Sequence, residues 1–182
     1  MLTLNNLPDE RYPWGCPGML DRILNALLIF ILLHAFFAWF SYRFHVGHDS
    51  QSVLCLQGNH RWYLIDRMTL NAEVGDLVAY RSDERMAPEI PLGTLVVKRV
   101  EALSGDRVDL ENTGIRIQGE FRPAGYPHRT RLKERALPKR SRLLMPEGSL
   151  WVMGDHPRSF DSRYFGPITA EQIIGVAHAL PF

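Results

Sequence analysis

The sequence predicts a mostly-β domain carried on one N-terminal membrane-spanning helix. Two observations lead to this prediction: a 20-residue apolar run near the N-terminus, and a later series of short segments rich in β-branched and aromatic residues. The chain has 182 residues, of which 46% are hydrophobic, and this suits one membrane segment plus one domain of about 130 residues. The formal net charge of +1 does not indicate a strongly acidic or basic partner.

The apolar run ILNALLIFILLHAFFAWFSY occupies residues 23–42 and contains no Asp, Glu, Lys or Arg. As a helix rising about 1.5 Å per residue, it reaches about 30 Å, the thickness of the hydrocarbon core of a bilayer. The alternative is a cleaved signal peptide, but the run is too long for one and no Ala-x-Ala cleavage site follows it. We therefore expect a retained transmembrane helix over 23–42, preceded by a short segment, 1–22, and followed by a folded domain, 46–182.

Eight short segments of the folded domain read as β-strands, because Gly, Asp, Asn and Pro separate runs rich in β-branched and aromatic residues. Gly75–Asp76 and Gly105–Asp106 predict tight turns between strands, and TAEQI (169–173) predicts a single helical turn. The predicted strands are SVLCL (52–56), RWYLID (61–66), DLVAYR (76–81), TLVVKRVEAL (94–103), DRVDLE (106–111), IRIQG (115–119), SLWVMG (149–154) and IIGVAHAL (173–180).

The two cysteines, Cys16 and Cys55, are too few for a disulfide framework. No CxxC motif or Cys/His cluster occurs, so we expect neither a metal site nor a cofactor. Because the predicted membrane helix separates them, Cys16 and Cys55 are expected on opposite sides of a membrane and are not expected to pair.

A basic tract, RPAGYPHRTRLKERALPKRSR (122–142), interrupts the strand pattern with eight Lys/Arg, one Glu and three Pro. We expect an irregular insert in this region. Such a tract can bind nucleic acid, but one short tract without a series of interleaved aromatic platforms is weak evidence for that partner. The alternative is a solvated loop that faces anionic lipid headgroups near the membrane helix.

Lys98 stands at an unusual place for a charged residue. Because side chains alternate along a strand, four residues of TLVVKRVEAL point to the same face: Val96, Lys98, Val100 and Ala102. Burial favours the neutral form of a lysine, and a neutral lysine can act as a general base. The alternative is that Lys98 extends to the sheet edge and keeps its charge in solvent.

A general base requires a group to activate, and Ser50 and Ser52 follow closely after the predicted membrane helix. Serine paired with lysine is a known alternative to the Ser-His-Asp triad. The sequence contains no GxSxG motif, which argues against an α/β-hydrolase. A histidine base also stays open at this point, with His48 the nearest in sequence.

Four motifs follow one another in order: SQSVLCL (50–56), VGDLVAY (74–80), VVKRVEALSGDRV (96–108) and MGDHPRSFDSRYFGPI (153–168). This succession resembles the type I signal peptidase family, and PRSFDSRYFGPI looks most like the TraF-type conjugative transfer signal peptidases. The resemblance covers residues 50–177 apart from the basic tract, and it implies a signal-peptidase-like β domain. By position it implies that Ser52 is the nucleophile and Lys98 the general base.

The same resemblance implies supporting roles for five further residues. Ser50 matches the hydroxyl that joins the Ser52 backbone N–H in the oxyanion hole, and Ser159 matches a serine that orients the lysine. The remaining three match a supporting ion-pair cluster in which Asp161 pairs with Arg163 or Arg99. Val53 and Cys55 depart from the family, which often has Met and Pro at these positions.

The resemblance implies a membrane-anchored serine endopeptidase that removes leader peptides from exported precursors, such as a conjugative pilin or another transfer protein. It also implies a single-pass protein of the inner membrane, with 1–22 in the cytoplasm and 46–182 in the periplasm. Either water or an amine of the substrate then resolves the acyl-enzyme. The alternatives are an inactive structural component of a conjugation or secretion apparatus, and a membrane-tethered basic binding module.

Overall fold

The computed structural model describes residues 18–49, 54–58, 60–111, 114–122 and 142–181. The chain divides into two compact units, Met1–Tyr42 and Arg43–Phe182. The predicted Ser50, Ser52 and Cys16, and the interior of the basic tract, 123–141, lie outside the described residues. The predicted positions of these residues therefore stay predictions.

Helix α1, Met19–Arg43, includes the predicted span and extends it by four residues at the start and one at the end. At about 1.5 Å per residue, its 25 residues reach about 38 Å. Its mean hydropathy of 2.3 makes it long and apolar enough to cross a membrane. At its N-terminus, the Gly18 backbone N–H donates to Asp21 Oδ2 at 3.0 Å. A carboxylate in the first turn satisfies one of the donors that every helix start leaves unpaired.

The second unit is mostly β, as predicted. Its short helices, within the described residues, are α2, Ser162–Phe165, and two 3₁₀ turns, Glu84–Met86 and Ala170–Gln172. The last of these confirms the helical turn expected in TAEQI. The described strands are β1 Phe44–His48, β2 Trp62–Asp66, β3 Leu77–Arg81, β4 Leu95–Ala102, β5 Arg107–Leu110, β6 Ile115–Ile117, β7 Glu120–Arg122, β8 Arg142–Leu144, β9 Ser149–Met153, β10 Ile168–Thr169 and β11 Ile173–Ala179.

The strands form two antiparallel sheets. The larger sheet has the order β1-β2-β11-β3-β4-β9-β10, and the smaller has the order β7-β6-β5-β8. The last long strand, β11, lies between β2 and β3, so the end of the domain closes onto its early strands. One apolar core packs β3, β4 and β9 against α2, and a second core gathers around Trp151 and the smaller sheet.

Seven of the eight predicted strands are confirmed, and one prediction is wrong over the residues described. Cys55 and Leu56 of SVLCL form bends, and Leu54 has no strand assignment. The physical reason is their hydrogen bonding: the Cys55 carbonyl accepts from the His156 backbone N–H at 3.0 Å, and this partner lies in a loop. Because the hydrogen-bond partner of this segment is a loop and not a strand, the segment has no neighbour with which to form a β-ladder.

Both predicted Gly-Asp turns are present and have the same construction. Gly75 and Gly105 have φ values of 99° and 83°, a region that favours glycine. In each turn the following aspartate accepts a backbone N–H three residues earlier through its side chain, at 2.9 Å for Asp76 and 2.8 Å for Asp106. Glycine supplies the conformation and aspartate supplies the closing hydrogen bond.

Candidate active site around Lys98

Lys98 lies on the buried face of β4. It is 4% exposed, and on the same face Val100 and Ala102 are fully buried. The residue opposite it on β3 is Val78, which is also fully buried. The prediction that Lys98 shares an apolar face is therefore confirmed. Among the described residues, none of the ion pairs involves Lys98.

Lys98 lines a cleft together with the end of β1 and the first half of β4. On its other side, β4 pairs with β9 only from Arg99 onwards, so no described strand pairs with 95–98 on that edge. The backbone of the cleft wall is thus open on one side. The residues that line the cleft are Gly47, His48, Asp49, Tyr63, Ile90, Thr94, Leu95, Val96, Val97 and Lys98.

Ser159 lies near the end of β9, the strand that pairs with β4. The last pair in the β4–β9 register joins Arg99 and Met153, so Lys98 and Gly154 are the next residue of each segment beyond that pair. A Cβ on Gly154 would overlap Ser159 Oγ, so the hydroxyl occupies the space that the glycine leaves open. Ser159 is fully buried, and its hydroxyl has no hydrogen-bond partner among the described residues. Ser159 therefore lies against Gly154, one residue beyond the last pair between β9 and the strand that carries Lys98.

Asp161 and Arg163 form a buried ion pair directly after Ser159. Arg163 Nε and Nη2 donate to the two Asp161 carboxylate oxygens, each at 2.7 Å, and the side chains are 0% and 4% exposed for Asp161 and Arg163. Asp161 also accepts the Gly154 backbone N–H at 3.1 Å, while Arg163 Nη2 donates to the Ser159 carbonyl at 3.2 Å. The pair therefore holds both ends of the loop that carries Ser159.

The sequence analysis gave Arg163 and Arg99 as the two possible partners of Asp161. Arg99 does not pair with Asp161; it pairs with Asp155. Its Nε and Nη2 donate to Asp155 Oδ1 and Oδ2, each at 3.2 Å, and its Nη1 donates to the Gly75 carbonyl. Arg99 points away from the Lys98 face by strand alternation, so it reaches Asp155 beyond the end of β9. The supporting charges are two separate pairs and not one cluster.

Asp155 is the residue that the sequence analysis missed. Burial by itself raises the pKa of Asp155, but hydrogen bonds from Arg99 and the Gln57 backbone, with the charges of Arg99 and Lys98, lower it below its usual value. The Gln57 N–H donates to Asp155 Oδ2 at 2.8 Å. One signal in the sequence could have indicated this ion pair. Asp155 stands in the motif MGDHPRSFD, two residues after Met153, which is opposite Arg99 in the sheet.

The segment after Ser52 is bonded to the same loop. The Cys55 carbonyl accepts from His156, and it would lie 3.0 Å from a Cβ on Gly154. On the other side of Ser52, Asp49 lines the cleft with Lys98. Ser50 and Ser52 themselves lie outside the described residues, so their predicted roles stay predictions.

Comparisons with known proteins agree on one family. The family described as "Signal peptidase, peptidase S26" matches residues 19–181 of this chain. A protein of Synechocystis sp. named "Probable signal peptidase I-1" is 28% identical over 163 residues, which is 87% of this chain and 77% of that protein.

Two further relatives, both from Escherichia coli and both named "Plasmid transfer protein TraF", match a shorter stretch. They are 35% and 33% identical over 81 and 84 residues, or 43% and 44% of this chain. The chain spans about half the length of these two relatives, 46% and 48%. A crystal structure of a signal peptidase I from Enterococcus faecalis is 26% identical, with 58% of this chain and 96% of that chain covered and a TM-score of 0.39.

Proposed function

Since the chain belongs to the signal peptidase family, peptidase S26, we propose that it is a membrane-anchored serine endopeptidase that removes leader peptides from exported precursors. The nucleophile is Ser52 Oγ and the general base is the Lys98 amine. The observation that carries this proposal is the burial of Lys98 on an apolar face, at a cleft that Asp49, three residues before Ser52, also lines.

The surroundings of Lys98 suit a base better than a structural cation. A structural lysine ammonium is usually paired with a carboxylate when it is buried, because removing a charge from water is costly. Lys98 instead faces Val78 and Val100. A lysine acts as a general base only through the lone pair of its neutral amine, so the proposal assigns that form to Lys98 in the reacting state.

Two described residues support placing Ser52 next to Lys98. Asp49 lines the cleft with Lys98, and the Cys55 carbonyl lies near Gly154, just beyond the end of β9. Each of the two is three residues from Ser52, and three residues of chain span at most about 10 Å. We therefore propose that Ser52 Oγ gives its proton to Lys98 Nζ.

The proposed reaction has two halves. In the first, Lys98 Nζ takes the Ser52 hydroxyl proton while Ser52 Oγ bonds to the scissile carbonyl carbon, and the Ser50 hydroxyl and Ser52 N–H stabilise the oxyanion. Each such donor contributes about 3 to 4 kcal/mol to the transition state. The C–N bond then breaks, and Lys98 gives its proton to the leaving amine. In the second half, water or a substrate amine attacks the acyl-enzyme and releases Ser52.

The open edge of β4 suits a substrate in extended conformation. A peptide can add to an exposed strand edge through main-chain hydrogen bonds, and its alternate side chains then enter pockets. The 95–98 edge borders the cleft that holds Lys98. A peptide on this edge runs past the amine that activates Ser52, which places its scissile bond within reach.

The likeness to two TraF proteins supports a transfer protein, such as a conjugative pilin, as the exported precursor. Helix α1 is long and apolar enough to cross a membrane once. We propose, from the family resemblance, that this membrane is the inner one and that the peptidase domain lies on its periplasmic side. The anionic headgroups of that membrane are the expected lipid contacts of the basic tract, 122–142.

The test is acylation of purified full-length chain in detergent by a serine-directed acylating probe, mapped by mass spectrometry. We expect the label on Ser52, and we expect Ser52→Ala and Lys98→Ala each to abolish it, with the double variant no worse than either single one. Lys139→Ala is the matched lysine control and should label normally. A label on another residue, or normal labelling of Lys98→Ala, would contradict the dyad.

A further inference from the structure

Tyr80 carries a buried hydroxyl that the proposed mechanism does not use. It lies on β3, is fully buried in the core with Val100 and Tyr164, and its Oη has no hydrogen-bond partner among the described residues. An unpaired buried hydroxyl destabilises a fold, and a phenylalanine would fill almost the same volume without this cost. A tyrosine at this position therefore calls for a functional explanation.

The sheet register places Tyr80 on the Lys98 side of the larger sheet. Val78 is directly opposite Lys98, and Tyr80, two residues further along β3, is opposite Val96. Tyr80 is thus the diagonal neighbour of Lys98 on the same face, at a spacing that aromatic and long side chains can bridge. On the other side of β4, Ser159 lies against Gly154, the residue after the last pair between β4 and β9. The strand that carries Lys98 therefore lies between β3, with Tyr80, and β9, whose end leads to Ser159.

The electrostatic surroundings of Tyr80 agree with this placement. Burial raises the pKa of the Tyr80 hydroxyl well above its usual value, and the charges of Asp161, Asp83 and Cys55 raise it further. The phenol therefore stays protonated over the working range of a peptidase, with its oxygen lone pairs available. The Asp161 carboxylate, whose charge acts on Tyr80, also accepts the Gly154 N–H in the loop that carries Ser159.

We propose that Tyr80 is a positioning residue that, together with Ser159, aims the Lys98 amine at Ser52. This inference rests on the proposed role of Lys98 as the base. A neutral amine has two N–H groups and one lone pair. If Ser159 Oγ and Tyr80 Oη each accept one N–H, the lone pair points away from both hydroxyls and towards the nucleophile.

The two acceptors are neutral, which matters for the chemistry. A carboxylate in their place would hold the proton on Lys98 and keep it from acting as a base. The flexible stem of Lys98 brings its amine to both hydroxyls in the reacting state, since catalytic hydrogen bonds often form fully only with substrate bound.

The test compares Tyr80→Phe with the unaltered full-length chain in detergent. Three quantities are measured: the melting temperature, the maximal acylation rate with the serine-directed probe from pH 5 to 10, and the probe concentration at half-maximal rate. We expect an equal or higher melting temperature, a maximal rate lowered tenfold or more, a displaced pH profile and an unchanged half-maximal concentration. Trp151→Phe is the control, because its indole N–H is likewise buried without a described partner but lies in the other core. This variant should melt lower, yet its pH profile should stay in place.

Three results would overturn the inference: a normal rate and pH profile for Tyr80→Phe, an equal displacement in Trp151→Phe, or a melting temperature of Tyr80→Phe lowered by several degrees. The last would mean that the hydroxyl has a structural partner. Lys98→Ala distinguishes failure of the Tyr80 inference from failure of the proposed function. If Lys98→Ala labels normally, the dyad itself is wrong; if it does not label while Tyr80→Phe behaves as the unaltered chain, only the role of Tyr80 is wrong.

Discussion

The Asp155 carboxylate bridges Arg99 on β4 and the backbone of Gln57. It accepts from Arg99 Nε and Nη2, each at 3.2 Å, and from the Gln57 N–H at 2.8 Å. Arg99 directly follows Lys98 in the chain, and Gln57 lies five residues after Ser52. This one carboxylate therefore connects the strand of the proposed base to the segment of the proposed nucleophile.

We predict that Asp155→Asn lowers acylation of Ser52 at least tenfold, because the amide cannot hold both donors as tightly. The stability loss should be moderate, about 1 to 2 kcal/mol, since Arg99 is 31% exposed and solvent screens the pair. Urea unfolding of the unaltered chain and of Asp155→Asn measures this difference in the free energy of unfolding. Asp109→Asn, which breaks the more exposed pair with Arg107, is the control and should cost less than about 1 kcal/mol.

The contribution of Asp155 should depend on pH in one direction. Its pKa is lower in the folded chain than the unfolded value of about 3.9, so the stabilisation is fully present above that value. It is lost as the pH falls through the lower, folded value. The stability difference between the unaltered chain and Asp155→Asn should thus be constant from about pH 5 to 7 and shrink below about pH 4. A difference that grows on acidification would be evidence against this pair.

Asp161→Asn and Ser159→Ala should separate stability from catalysis. Asp161→Asn leaves Arg163 buried without a full counter-charge, at a cost of about 3 to 5 kcal/mol. Ser159→Ala removes a buried hydroxyl that has no described partner, so it should melt at or above the unaltered chain. Its acylation rate should nevertheless fall, because Lys98 loses an orienting group. If Asp161→Asn melts normally yet is fully inactive, Asp161 takes part in the chemistry.

Gly154→Ala should displace Ser159 from Lys98. The new Cβ would overlap Ser159 Oγ and lie 2.7 Å from Ser159 Cβ, so the loop has to move. We expect lower stability and at least a tenfold loss of acylation. Combining it with Ser159→Gly removes both overlapping atoms of residue 159. This double variant should regain part of the stability, measured by thermal melting, but not the activity. Recovery of activity would show that the Ser159 hydroxyl is dispensable.

The proposed topology predicts which cysteines a membrane-impermeant maleimide reaches in cells whose outer membrane has been made permeable. Leu144 is 72% exposed in the second unit, so Leu144→Cys in a Cys55→Ser background should label readily. Cys16, before α1, should label only after the inner membrane is opened with detergent. Labelling of Cys16 in sealed cells would place the N-terminal segment outside and reverse the topology.

The positions of the long strands were predictable because they depend on local pattern. Alternation in 94–103 predicted both the strand and the apolar face that Lys98 shares, since side chains on a strand point to opposite faces in turn. The same holds for the Gly-Asp turns and the apolar helix, where conformation follows from neighbouring residues. The failure at Leu54–Leu56 has the opposite origin: the partner of that segment is a loop about a hundred residues away.

By itself the sequence determined the mostly-β class, the apolar helix, the face of Lys98 and, through its motifs, the family. Only the tertiary structure decided that Arg99 pairs with Asp155 while Asp161 pairs with Arg163, that Tyr80 lies diagonal to Lys98 on the neighbouring strand, and that Ser159 lies against Gly154. The reason is physical. Alternation along a strand specifies a face, but which charges and hydroxyls meet on that face depends on the register between strands that are distant in sequence.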